Sequence, residues 1–349
     1  MYRYIWKFVS FLFILTNCNL NFIFQHGNSN LVYANVLVSV PQLSVVTDIR
    51  SHALYLTIHL NSTSSPQICF KSIVKIRDYV RQIRSNYESK TKHEILYGVG
   101  FGFNFFKNIN PNFQRRGVEN YEYRERSGGL GKLPNTGGDI FVHAKCDDRG
   151  MLFELAKLII FGMPPECVME FEDIYGWNYR DDRDLSGFID GTENPKVLKR
   201  RVEVAINGRT GGSYAVAQRW VHNMSLLQKT KHETLEQWIG RTIKDSVELS
   251  NKSDTSHVAR MVGSSQFDAE KKYRIVRQSQ PYGTLSEEAS VVFIAYAANV
   301  INFDFMLDRM TGYGDDKKND NLMKFTRCAT GNYFYFPDLI ELNRLIRNN

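Results

Sequence analysis

The chain has 349 residues, 43% of them hydrophobic and 13% aromatic, and its 44 Lys and Arg against 37 Asp and Glu give a formal net charge of +7. That composition excludes a disordered or collagen-like protein and leaves apolar surface for one large core or two ordinary ones, two domains being the expectation at this length. The excess positive charge is spread along the chain without Lys/Arg blocks, so nucleic-acid binding is not indicated.

Arg3 and Lys7 precede a mostly apolar run from Phe8 to Leu15, and no acidic residue occurs before Asp48. Residues 1–34 therefore read as a signal or targeting segment with a cleavage point after Ala34, leading into the secretory pathway or out of the cytoplasm, an organelle included. No later stretch approaches the ~20 apolar residues a bilayer span needs, so no span is expected in the mature chain. Asn61-Ser62-Thr63, Asn223-Met224-Ser225 and Asn251-Lys252-Ser253 are glycosylation sequons, meaningful only in a eukaryotic secretory lumen. Cys18, Cys69, Cys146, Cys167 and Cys328 contain no Cys-x-x-Cys pair. A zinc ribbon, a thioredoxin-like site, c-type haem attachment and a disulfide scaffold are all excluded on that pattern.

Alternation over Ala53 to Leu60 predicts a half-buried strand, with Leu54, Leu56, Ile58 and Leu60 on one face and Tyr55, Thr57 and His59 on the other. A helix follows: Ser65 suits its cap, Pro66 its first position, and Ile73, Ile76, Val80 and Ile83 recur at helical spacing. Next come a strand near 95–103, a long polar Gly-rich loop, a strand over 140–145, a helix carrying Met151, Leu152, Leu155 and Ile159, and a strand at 169–175. The second half repeats this βαββαβ order. It has a strand at 214–220, then a helix with a Thr230/Glu233 capping box and apolar Leu235, Trp238 and Ile239. Strands at 273–279 and 291–297, a helix carrying Phe303, Met306, Leu307 and Met310, and a strand at 333–336 complete it. The predicted class is α+β: two ferredoxin-like (βαββαβ) domains with antiparallel sheets, over 41–180 and 212–345, joined by a loop and linker at 181–211. Two such sheets leave a groove suited to a flat ligand.

Between the halves lies Gly187-Phe188-Ile189-Asp190-Gly191-Thr192-Glu193-Asn194-Pro195. Asp-Gly and Asn-Pro form turns in any protein, which makes an ordinary linker one reading. In the other, Phe188-Ile189 holds Asp190 in a loop whose flanking glycines let backbone approach a ligand, placing a proton-trading carboxylate at a cavity. His257, in Ser256-His257-Val258-Ala259-Arg260, has no second histidine three or four residues away to build a local zinc site. It is either an ordinary surface or core residue or a lone imidazole of the kind that ligates haem iron. Asp320 is by default an N-cap or loop residue, and otherwise a partner for the second ring nitrogen of such a ligand. On the 273–279 strand, Arg274 and Arg277 are expected on opposite faces, and an Arg beside a bound peroxide would stabilise charge on the leaving oxygen.

Gly187-x-x-Asp190-Gly191 is followed by Gly212-Ser213-Tyr214, Gln218-Arg219-Trp220-Val221-His222, Gly240-Arg241-Thr242, Ser256-His257-Val258-Ala259-Arg260, Ile275-Val276-Arg277 and Pro281-Tyr282-Gly283. In that order and spacing the chain resembles the dye-decolourising peroxidases, haem b enzymes made of two ferredoxin-like domains, and among them the bacterial branch with compact loops. The likeness runs from about Pro41 to about Pro337. It implies a haem pocket mainly in the C-terminal domain, holding haem b non-covalently. His257 would be the proximal iron ligand, with Asp320 its hydrogen-bond partner; Asp190 and Arg277 would form the distal pair, with Ser279 beside them and Gly191 against the cofactor. The implied reaction uses hydrogen peroxide to form a ferryl intermediate and oxidises organic reductants (dye-like, phenolic or porphyrin) in one-electron steps, commonly in a homo-oligomer. Two departures stand out: a slightly long stretch between His257 and Arg277, and the lack of a twin-Arg export signal.

Two further readings compete with the peroxidase. A non-catalytic haem carrier or haem-iron handling protein on the same fold would need His257 but not Asp190 or Arg277. A haem-free anion or small-molecule module is suggested by the Gly-rich loops Ser127–Gly131 and Asn135–Gly138, although they lack the context of a phosphate loop. Trp177, Trp220, Trp238 and 18 tyrosines are candidates for relaying electrons to bulky substrates, core packing being the reading for Trp238.

Overall fold

The computed structural model describes residues 39–86, 93–264, 267–268, 273–313 and 317–349, so the expected targeting segment at 1–34 lies outside the described residues. Strand β1 (His52–Leu60) shows the expected alternation, but the middle of the strand is buried on both faces. Leu54, Leu56 and Ile58 are 0% exposed, and Tyr55 between them only 2%. The face that alternation assigns to solvent instead enters a second apolar cluster with Phe141, Tyr296 and Phe334. A tyrosine ring buries as much apolar area as a core residue provided its hydroxyl finds a partner, and Tyr55 donates to the Gln278 carbonyl at 3.1 Å.

The first half continues with β2 (Leu96–Phe101), a hairpin of β3 (Arg126–Gly128) and β4 (Gly131–Leu133), β5 (Ile140–Cys146) and β6 (Val168–Trp177). The second half holds β7 (Ser213–His222), a short pair β8 (Gly263–Ser264) and β9 (Phe267–Asp268), then β10 (Val276–Arg277), β11 (Gln280–Gly283), β12 (Ala289–Ala297), β13 (Thr326–Cys328) and β14 (Asn332–Phe336). The sheet runs β10-β12-β7-β14-β2-β5-β1-β6, its paired strands antiparallel, with β11 also on β12 and β13 on β7. Each half thus sets its second, third, first and fourth strands side by side, the ferredoxin-like order, and the fold is α+β. The halves are joined in one continuous sheet where Tyr335 of β14 pairs with Phe101 of β2.

Helices Pro66–Ile73, Ile76–Asn86 and Arg149–Gly162 cover the first half. The single helix expected over 66–83 is two pieces, because the chain tightens after Ile73: the Lys75 N–H bonds the Ser72 carbonyl, three residues back. The expected long loop before β5 holds a helix (Phe103–Ile109), a 3₁₀ turn (Phe113–Arg116) and the β3–β4 hairpin. One feature had no local signal at all: Cys69 and Cys167, 98 residues apart, form a fully buried disulfide between the helix at 66–73 and the approach to β6. Cys146 and Cys328 are free thiols, both buried.

In the second half the Thr230/Glu233 capping box does not form. Thr230 closes the preceding helix (Met224–Lys229), its hydroxyl donating to the Leu226 carbonyl, and the next helix starts at His232 behind Lys231. The strand expected over 273–279 is reduced to β10, and the chain rejoins β12 as β11 after Gln278 and Ser279. Helices His257–Val262, Ile301–Thr311 and Leu339–Asn348 complete the half. Among the described residues no helix is long and apolar enough to cross a membrane.

Candidate active site

In the second half, sheet and helices do not close on each other. Val216 and Trp220 of β7 and Phe293 of β12 face Phe303, Leu307 and Met310 of the helix 301–311 across a largely apolar cavity of about 250 Å³. Asp184, Asp190, Asn194, His222, His257, Arg277 and Ser279 bring polar groups into the same cavity.

His257 opens the helix 257–262, which is tied to the helix 301–311 through backbone carbonyls: the buried Arg260 guanidinium donates to the Arg309 carbonyl at 2.8 and 2.9 Å, and Arg309 Nε donates to the Arg260 carbonyl at 2.7 Å. His257 Nδ1 lies 2.8 Å from Asp320 Oδ2. Asp320 is 0% exposed, and its other oxygen accepts the Leu322 N–H at 2.8 Å to cap the 3₁₀ turn Asn321–Lys324. One carboxylate oxygen of Asp320 thus meets His257 and the other caps the turn. A carboxylate on Nδ1 fixes the orientation of the ring and turns Nε2 away from it, which is how a metal-ligating histidine is oriented.

The Gly187-x-x-Asp190-Gly191 loop forms another wall. Gly187 and Gly191 have φ of +95° and +75°, the left-handed region in which a side chain is strained. The buried Phe188 packs with Leu235, Ile239 and Phe325, while the Asp190 N–H is fixed on the Asp182 carbonyl at 2.8 Å. Asp190 Oδ1 accepts the Gly191 N–H at 2.6 Å and lies 3.2 Å from Arg277 Nη1, and both side chains keep some solvent contact. Asn194 reaches from the same loop to the Arg277 backbone, and the Ser279 hydroxyl is buried without a hydrogen-bond partner among the described residues. Arg274 also lines the cavity, against the expectation of opposite faces. It precedes β10, so strand alternation does not govern it.

Behind this wall, Gln278 is held by Lys145 Nζ and by the Val45 carbonyl. Burial pushes the Lys145 ammonium well below its ordinary pKa against the opposing pull of the Asp48 charge, and its hydrogen bonds go to neutral oxygens of Ser44, Thr47 and Gln278. A second chain of polar groups was not read from the sequence: His222 Nε2 sits 2.9 Å from Asp184 Oδ2, and Ser290 Oγ 2.9 Å from His222 Nδ1. Burial alone would raise the Asp184 carboxyl, but the His222 charge and bonds from His222 and Ser186 outweigh it and hold the group at about 2. Asp184 and His222 lie 38 residues apart, and no local pattern joins them. Trp238 stacks on Phe325 with planes 17° apart, the packing role read for it, whereas Trp220 borders the cavity. The Gly-rich loop at Ser127–Gly131 is the turn of the β3–β4 hairpin and does not line the cavity. Residues 265–266 and 269–272, in the long stretch between His257 and Arg277, lie outside the described residues.

Among the described residues no group of three His, Cys, Asp or Glu side chains could hold a metal ion by itself. Of the two imidazoles at the cavity, His222 has both ring nitrogens engaged, by Asp184 and Ser290, whereas His257 is engaged through Nδ1; beside them stand broad apolar walls and the buried Ser279 hydroxyl. That set fits a flat, mainly apolar macrocycle whose metal takes a single protein ligand.

Residues 181–341 match the family described as Dyp-type peroxidase, C-terminal. A dye-decolorizing peroxidase of Mycobacterium tuberculosis is 32% identical over 232 residues, covering 64% of this chain and 68% of that protein. The solved structure of a dye-decolorizing protein from V. cholerae superposes with a TM-score of 0.75 at 31% identity, over 87% of this chain and 99% of the other. A variant of Rhodococcus jostii DypB, solved in complex with heme, gives a TM-score of 0.75 at 25% identity, over 87% of this chain and 98% of the other. On this sequence and structural agreement, taken with a cavity of matching chemistry, the chain belongs to the dye-decolourising peroxidase family.

Proposed function

We propose that the chain is a haem b peroxidase that takes hydrogen peroxide and an organic reductant of dye-like, phenolic or porphyrin type. The observation that carries this reading is the meeting, in one cavity, of the His257–Asp320 pair with the Asp190–Arg277 pair. His257 would hold the iron through Nε2, with Gly191 and the apolar walls against the ring. Haem, when bound, supplies an iron that exchanges electrons with peroxide and with the reductant.

The residues divide the remaining work. Asp190 Oδ1 is engaged by Gly191 and Arg277, leaving Oδ2 to take a proton from one peroxide oxygen and return it to the other, directly or through water. Arg277 stabilises negative charge where it develops. The unpartnered Ser279 hydroxyl can donate to the same oxygen. Phe293, Phe303 and Leu307 exclude bulk water and keep the field of these groups unscreened. A haem carrier would use His257 alone; the close Asp190–Arg277 pair, built on several backbone bonds, favours the peroxidase.

The same proposal places the mature protein in an oxidising compartment reached by the amino-terminal signal segment. The Cys69–Cys167 disulfide supports that placement, since such bonds persist outside reducing cytosol. It also includes a homo-oligomer, supported by Phe161 at 82% exposure and by exposed Met169 and Phe171 on the edge strand β6.

Rapid mixing of the haem-loaded chain with hydrogen peroxide tests the reading through its optical spectrum. Asp190→Ala or Arg277→Ala is expected to slow the reaction tenfold or more, about 1.4 kcal/mol of barrier, and His257→Ala to change the resting spectrum of the bound haem. Unchanged rates in both wall variants would replace the peroxidase by the carrier.

A further inference from the structure

We propose that Asn194 is a positioning residue, which sets the Arg277 guanidinium against the Asp190 carboxylate by locking the loop to the open edge of β10; the proposal rests on the peroxidase reading above. Val276 and Arg277 pair with β12 on one side only, and the Gln278 N–H donates to the Ile294 carbonyl at 2.9 Å. Backbone groups alternate in direction along a strand, so the N–H and C=O of Arg277 point to the unpaired edge. Asn194 covers that edge. Its Oδ1 accepts the Arg277 N–H at 2.9 Å, and its Nδ2 donates to the Arg277 carbonyl at 2.7 Å. A side-chain amide is a peptide group in miniature, with an acceptor and donors side by side, and here it stands in for the strand β10 lacks.

Asn194 is fixed from its own side as well. Its N–H bonds the Gly191 carbonyl at 2.9 Å, closing a turn that Gly191 enters at φ +75°. The Gly191 N–H in turn donates to Asp190 Oδ1, which meets Arg277 Nη1. These contacts form a closed circuit: Asp190 to Gly191, Gly191 to Asn194, Asn194 to the Arg277 backbone, and the Arg277 guanidinium back to Asp190. Apart from that last contact, every link uses a main-chain group. The carboxylate–guanidinium separation is therefore set by how the loop docks on the strand edge, more than by the two side chains.

The strand itself is anchored from behind, where Gln278 bonds Lys145 and Val45 and its carbonyl accepts from Tyr55. Removing Asn194 would leave Arg277 in place and free the loop to drift away from it. Reactions that depend on two positioned groups are sensitive to displacements of about 1 Å, to the extent of roughly a hundredfold in rate.

The test is a double-mutant cycle on the haem-loaded full chain, read by the bimolecular reaction with hydrogen peroxide and by hydrogen exchange of the Arg277 amide. Asn194→Ala is expected to slow the reaction tenfold or more with the resting haem spectrum unchanged. In an Arg277→Ala background, with no guanidinium left to place, the same substitution should slow it by less than about threefold. The amide at position 277 should exchange faster once Asn194 is lost, with or without haem, a readout that does not depend on turnover. Asn194→Asp keeps the acceptor and the turn but not the donor, and serves if the alanine variant does not fold; an intermediate slowing is expected. A parent-like rate in the Asn194 variant, equal slowing in both backgrounds, or unchanged amide exchange would each overturn the proposal. Slowing by Arg277→Ala without slowing by Asn194→Ala removes the positioning role alone. A parent-like rate in Arg277→Ala removes the peroxidase role of that wall, and the positioning proposal with it.

Discussion

The two βαββαβ halves share a strand order and differ in what lies between sheet and helices. In the first, Leu54, Leu56 and Ile58 of β1 meet Phe70, Leu152 and Leu155 directly, all of them 0% exposed. In the second, the corresponding space between β7, β12 and the helix 301–311 is the cavity, and the side chains that would have filled it line it instead. Protein interiors are ordinarily packed as densely as organic crystals, and atoms facing a void lose the contacts they would make there. One topology thus serves as scaffold or as site according to how closely its helices approach the sheet. The scaffold half draws its stability from side chains and a disulfide, while the site half leaves part of its stability to whatever fills the cavity.

The sharpest way to break this contrast is to remove the disulfide. Replacing both Cys69 and Cys167 by Ser opens a loop closed over 98 residues. Chain entropy puts the loss at about 4.7 kcal/mol, measured by denaturant unfolding of the haem-free chain. A loss under about 1 kcal/mol would show that the first half does not depend on it. Next in size is a pair of identical truncations. Leu155→Ala, in the closed core, should cost about 3–4 kcal/mol; Leu307→Ala, at the cavity wall, should cost about 1–2 in the haem-free chain, with the gap narrowing once haem is added. Equal losses without haem would erase the distinction between the halves.

The smallest effect concerns acid. Asp184 is held at about 2 in the folded protein, below the ordinary carboxylate range, because His222 and Ser186 outweigh its burial. A depressed folded pKa contributes stability that is present above about pH 4 and is lost as pH falls toward 2. Acid-unfolding curves of Asp184→Asn should be flatter across that window, and curves identical to the parent would remove Asp184 as an anchor of the loop.

Much of the scaffold was legible because periodicity reports which faces are apolar. The strand at 52–60, the helix at 149–162 and the repeat of βαββαβ all followed from spacings of two and of three to four residues. What stayed hidden depends on partners distant in the chain. Tyr55 reads as a solvent-facing residue until Gln278 is placed beside its hydroxyl, and Cys69 reads as isolated until Cys167 is brought to it. At the site, Asp190, His257, Arg277 and Asp320 were singled out from motifs and neighbouring residues and Ser279 by the family resemblance alone, and the fold supplies the distances among them. Asn194, Gln278 and Lys145 went unassigned because they bond largely to main-chain groups or amides, and such bonds leave no complementary residue type to recognise.

The last strand of the chain is not at an edge of the sheet. β14 lies between β7 and β2, and Asp320, the partner of His257, is made 63 residues after it. A growing chain that has just completed the GxxDG loop and His257 therefore holds neither the oriented imidazole nor the seam between the halves. On the role proposed for His257, capture of the cofactor would follow the synthesis of Asp320 and β14 rather than accompany that of the GxxDG loop.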